Sequence, residues 1–103
     1  MTTGIVDGMR PVHPGEILRE DFLEPMGLSI NGLALALGVP ATRIHAIVNE
    51  KRSISTDTAL RLARYFGTSV ELWLNLQNSY DIKVIATKEK DALARIIPMQ
   101  AMA

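Results

Sequence analysis

The chain has 103 residues, 48% of them hydrophobic and 21% charged, enough for one domain with one modest core. It has no cysteine, which excludes a disulfide framework, a thiolate zinc site and a cysteine nucleophile and fits a reducing cytoplasm. No apolar run approaches the roughly 20 residues of a membrane helix, no signal peptide is visible at MTTGIVDGMR, and a net charge of zero excludes a uniformly basic nucleic-acid binder.

Residues 1–10 carry two glycines without periodicity and are expected to form a flexible arm. A helix-turn-helix domain is expected over 11–82, followed by a partly helical extension over 83–103. The first helix opens near Pro14, where a missing N–H costs nothing. It carries Glu16 in its first turn, sets Ile17, Leu18 and Phe22 on one side, and stops at Pro25 and Gly27. Ser29 caps a second helix whose Ile30, Leu33, Ala34 and Leu37 form an amphipathic stripe. Gly38 ends it, because glycine enters the left-handed region at little cost. Pro40 starts a third helix, Ala41 to Asn49, with Ile44, Ile47 and Val48 facing inward. The polar stretch 50–55 reads as a loop, and Ser55 or Thr56 caps a fourth helix carrying Ala59, Leu62, Ala63 and Phe66 up to Gly67. Thr68 with Glu71 reads as a capping box for a fifth helix. That helix is apolar on more than one side, which implies a second partner; Trp73, Leu74, Leu76 and Tyr80 are the candidate dimer surface. Residues 81–95 suit a helix, with enough β-branching at 83–87 for a short strand instead.

Charge is unevenly spread. Glu16, Glu20, Asp21 and Glu24 outweigh Arg19 between residues 11 and 31, whereas Arg43, Lys51, Arg52, Arg61 and Arg64 outweigh Glu50 and Asp57 between 41 and 64. A small DNA reader needs only one basic face, since the charges near phosphate are the ones that release counterions. Short helices joined by a tight glycine turn match the helix-turn-helix pattern. The third helix then offers Ala41, Thr42, Arg43, His45, Ala46 and Asn49 to a major groove. Arg43 can donate two bonds to guanine O6 and N7, and Thr42 can bond a base edge or place its methyl against thymine. Lys51 and Arg52 follow this helix, where a basic loop would meet the DNA backbone, and Ser29, Asn31 and the free N–H groups starting the second helix form another candidate phosphate site. The histidines, His13 and His45, lack the spacing of a helical metal pair. No HExxH, phosphate loop or GxSxG is present, so neither an enzyme nor a cofactor or metal is expected.

Four strings look familiar: HPGEILREDFLEPMGLS from His13, LALALGVPATRIHAIVNEKRSIS from Leu33, DTALRLARYFGTS from Asp57 and WLNLQNSYD from Trp73. Together they cover about two thirds of the chain, in order, and resemble the HigA/VapI-type antitoxins of the Cro/cI-like (XRE) helix-turn-helix class. The resemblance implies an all-α, five-helix domain with a C-terminal extension. It also implies a cytoplasmic homodimer on a palindromic operator that represses its own operon, and a HigB-like, mRNA-cleaving toxin as protein partner. It places the base-facing positions on Ala41, Thr42, Arg43 and His45, and the phosphate contacts on Ser29, Asn31, Asn49, Lys51 and Arg52. Related phage repressors often open this helix with glutamine; Ala41 stands here, so a glutamine–adenine contact does not carry over. The acidic first helix, the N-terminal arm and the C-terminal tail all stay open as toxin-facing surfaces. Two alternatives remain: an orphan regulator without a toxin, and an interaction module that has lost DNA binding.

Overall fold

A computed structural model describes residues 10–102. Apart from Arg10, the expected N-terminal arm therefore lies outside the described residues. The described residues are helical and contain no strand. Helix α1 (residues 14–26) starts as an α-turn at Pro14–Ile17, widens into a π-helical stretch at Leu18–Leu23 and closes at Glu24–Met26. Helices α2 (Ile30–Leu37), α3 (Ala41–Val48), α4 (Thr56–Phe66) and α5 (Val70–Lys88) follow, then α6 (Lys90–Ala94) and a 3-10 turn at Met99–Met102.

Local chemistry accounts for most of these boundaries. The side-chain oxygens of Ser29, Ser55 and Ser69 accept bonds from the backbone N–H groups of Gly32, Thr58 and Leu72, satisfying a donor at the start of α2, α4 and α5. At α1 the same service comes from His13, whose Nδ1 accepts from Gly15 N–H at 2.9 Å. Gly38 takes φ +71°, and Val39 N–H returns to Ala34 O at 3.0 Å, so the turn between α2 and α3 closes in a left-handed cap. Helix α3 ends in a similar wrap, with Lys51 N–H on Ala46 O at 2.8 Å, but here Glu50 holds the left-handed position at φ +62°.

Leu18, Leu33, Ile44, Ile47, Ala59, Leu62 and Trp73 are fully buried in one core. Helix α2 packs on α3 and α4, α4 on α5, and α1 on both α3 and α5. Phe22 and Phe66 flank Trp73 at ring-centroid distances of 5.0 and 6.3 Å. Residues 85–100 are all exposed, so the end of α5 and everything after it project from this core. The resulting body measures 55 × 25 × 23 Å.

Two expectations are corrected. Thr68 does not cap α5: its Oγ1 accepts the indole N–H of Trp73 at 2.8 Å, and Ser69 takes the capping position. Trp73 is not on a dimer surface, because it has no exposure and fills the space between α1, α4 and α5. Of the helix and the short strand left open for residues 83–87, the helix is the one formed, since no breaker interrupts α5 and each added residue gains a backbone bond once the helix is nucleated. The boundary expected between residues 82 and 83 accordingly falls inside α5.

Candidate nucleic-acid interface

Helix α3 presents one outward face because its apolar residues leave it no other orientation. Ile44 and Ile47 have no exposure and Val48 has 3%, and all three face the core. At about 100° per residue, the opposite side is formed by Thr42, His45, Ala46 and Asn49. Thr42, His45 and Asn49 are exposed and Ala46 is half-buried. Ala41 is also half-buried and packs against the core, so its methyl belongs partly to the scaffold. Arg43 stands on the flank of the face, with its side chain 25% exposed and its Nη1 donating to Asp57 Oδ2 at 2.9 Å.

Two contacts that the sequence pattern did not reveal fix the helix in place. Gly15 lies against the last turn of α3: a Cβ there would come within 2.8 Å of the Ile47 carbonyl carbon and closer still to its oxygen. Arg19 on α1 donates from Nη1 to Val48 O at 2.8 Å, satisfying a C-terminal carbonyl where a positive charge also suits the helix dipole. Gly15 sits inside the string HPGE, and nothing in its neighbours marks a close approach. Arg19 reads as one more charge on an acidic helix.

The expected phosphate contacts lie at the start of α2 and just beyond the end of α3. Ser29 and Asn31 are exposed at the start of α2, where backbone N–H groups and the helix dipole favour an anion. The Ser29 oxygen already accepts from Gly32 N–H at 2.9 Å, which leaves its hydroxyl proton to donate outward. Asn49, Lys51 and Arg52 are exposed just beyond α3, and Lys51 and Arg52 form no ion pair among the described residues. The segment carrying them is anchored from behind. Ile54 N–H donates to the buried Gln77 Oε1 at 2.7 Å, and Gln77 Nε2 donates to Asp81 at 3.0 Å. Sequence reasoning gave Gln77 no role.

Of the expected dimer residues, Leu74, Leu76 and Tyr80 are half-buried. Leu76 and Tyr80 line an apolar groove with Val12 and Ile82, and Tyr80 stands edge-on to His13 at 4.8 Å. Further along α5 and beyond, Ile82, Ile85 and Leu93 are at least half exposed. Among the described residues no group of three or more His, Asp or Glu side chains is placed to hold a metal ion. None of the described helices is long and apolar enough to cross a membrane.

The geometry has counterparts among known proteins. Residues 20–73 match the helix-turn-helix family model HTH_3. Virulence-associated protein I of Dichelobacter nodosus is 54% identical over 91 residues, covering 88% of this chain and 83% of that protein. A solved addiction module antidote protein of a HigA family from Coxiella burnetii superposes with a TM-score of 0.82 at 50% identity, covering 87% of this chain and 99% of the other. The Pseudomonas aeruginosa antitoxin HigA, solved with the higBA promoter, superposes with a TM-score of 0.84 at 44% identity over 87% and 99% of the two chains.

Proposed function

The chain belongs to the helix-turn-helix family, among the HigA-type antitoxins, and from that premise we propose that it is a cytoplasmic, sequence-specific DNA-binding repressor of its own operon and the antitoxin of a HigB-like, mRNA-cleaving toxin. The observation that carries the reading is the outward face of α3, with Thr42, His45 and Asn49 exposed on a helix whose other side is locked into the core. A relative of the same fold has been solved with promoter DNA. In this reading Thr42, Arg43 and His45 meet base edges, with Ala41 at the margin, while Ser29, Asn31, Asn49, Lys51 and Arg52 meet phosphates. No catalytic group is assigned.

One recognition helix reads only a few base pairs, so the reading includes a homodimer that sets two of them one DNA turn apart, about 34 Å. With Trp73 committed to the core, the dimer surface runs from Leu74, Leu76 and Tyr80 along α5 to Ile82 and Ile85. Exposed aliphatic groups there would otherwise stay in water. Glu20, Asp21 and Glu24 remain exposed on α1 and offer an acidic surface to a basic ribonuclease.

The experiment is selection of double-stranded DNA from a random-sequence pool by the purified chain, followed by salt titration of the selected site. The reading expects an enriched site with two-fold symmetry and an affinity that falls steeply with salt. No enrichment and no salt dependence refute it. Co-expression of the chain with a small basic reading frame beside its own tests the toxin: relief of that protein's growth arrest is the expected result.

A further inference from the structure

The flanking position of Arg43 is not incidental, because its partner belongs to a larger cluster. Asp57, in the first turn of α4, receives Arg43 Nη1 at 2.9 Å. Its two oxygens also receive Arg61 Nε at 3.2 and 3.1 Å. Arg61 in turn donates from Nη1 to Leu37 O at 2.8 Å, at the end of α2. One carboxylate thus ties the flank of α3 to α4 and, through Arg61, to α2. We propose that Asp57 is a positioning residue for base reading: it holds the Arg43 guanidinium beside the outward face of α3 with the remaining edge of its fork turned to DNA.

Three features support this, given the DNA reading above. Guanidinium has five N–H donors in a rigid planar fork, and the contact with Asp57 engages Nη1 alone, so donors remain for a base edge. Arg43 is only 25% exposed although it sits on a surface helix, so its long stem is already ordered and loses less freedom on docking. Two guanidiniums surround one carboxylate, which keeps the cluster positive toward phosphate. The bonds from Arg61 and then from Arg43 also hold the Asp57 carboxyl below the usual carboxylate range, so it stays charged near neutrality.

The test uses the DNA site selected by the wild-type chain and a panel in which each base pair is replaced in turn. Affinities are measured for the wild-type chain, Asp57→Ala, Asp57→Glu, Arg43→Ala and the Arg43→Ala/Asp57→Ala pair, with thermal midpoints recorded alongside. Asp57→Ala is expected to lose about fivefold of discrimination, the low end for one bidentate base contact, at the base pair that Arg43→Ala also relaxes. Discrimination elsewhere stays intact, and unrelated DNA binds at least as tightly because a negative charge has gone. The double variant is no less selective than Arg43→Ala alone, and Asp57→Glu recovers part of the loss. If Asp57→Ala keeps wild-type discrimination, or weakens selected and unrelated DNA alike as its midpoint falls, Asp57 only holds helices together and the proposal fails. If the wild-type chain selects no site, the DNA reading itself fails, a result distinguishable from either of these.

Discussion

Replacing Gly15 by alanine tests how α1 fixes α3. A Cβ at residue 15 would meet the Ile47 carbonyl carbon at 2.8 Å, against the 3.4 Å at which ordinary contact begins, and the carbonyl oxygen is nearer still. Helices α1 and α3 must therefore separate by at least 0.6 Å, and neither partner is a flexible side-chain tip that could swing away. Overpacking that forces backbone to shift costs about 1–3 kcal/mol. Moving the helices also strains the Arg19 bond to Val48 O and the His13 cap on Gly15 N–H. Alanine's better helix propensity returns at most about 1 kcal/mol. Strain on those two bonds roughly offsets that return, so the net expectation is a loss of about 1–3 kcal/mol, a sizeable share of the about 5–15 kcal/mol of an ordinary domain. Urea unfolding reads it as a lower midpoint at unchanged m-value, and weaker DNA binding by the folded fraction accompanies it. Gly27→Ala is the control: its φ is +61° with no atom within 4 Å, so it carries the conformational cost of about 1 kcal/mol without a clash. Equal midpoints for Gly15→Ala and the wild-type chain would refute the close approach.

Four further outcomes are expected. Burial, opposed by Glu50 and Asp81, holds the His13 imidazole below its ordinary value. A group depressed on folding gives stability that is complete above its unfolded value near 6.5 and is lost as pH falls through the folded one. Urea midpoints should therefore drop on acidification from about pH 7, and His13→Asn, which keeps an acceptor for Gly15 N–H, should flatten the drop; an unchanged slope assigns the effect elsewhere. Glu50→Gly should stabilise by about 0.5–1 kcal/mol by removing a left-handed non-glycine residue, at the expense of a weak 4.0 Å contact with Arg19; an unmoved thermal midpoint counts against that strain. Arg52→Ala should weaken selected and unrelated DNA alike and reduce the salt slope by about 1; an intact slope removes it from the phosphate set. Ile85→Glu should shift sedimentation toward monomer and lower operator affinity, and unaltered association would clear the α5 ridge of a dimer role.

What could be read from the chain alone was whatever is local. Ser29 and Ser55 announce helix starts, Gly38 and Gly67 announce stops, and the spacing of Ile44, Ile47 and Val48 orients α3 without reference to anything distant. Thr68 misled because two cap-competent hydroxyls are adjacent. The choice between them is made by the Trp73 indole, which takes one. Trp73 misled in the same way, since its depth depends on Phe22 and Phe66 arriving from other helices. The π-helical turn in α1 and the left-handed Glu50 carry no local signature at all. The Arg43–Asp57 pair joins residues 14 apart across two helices, a relation that only the packing of α3 beside α4 creates.

The buried amide of Gln77 has a mechanical result. By accepting from Ile54 N–H it fastens the strip that trails α3 to the middle of the longest rod in the molecule. Two chains clasped along that rod would behave as a pair of callipers with a stiff hinge, locked to one separation of their tips. Operators with half-sites set a base pair closer or wider would then be rejected by geometry, whatever letters they spell.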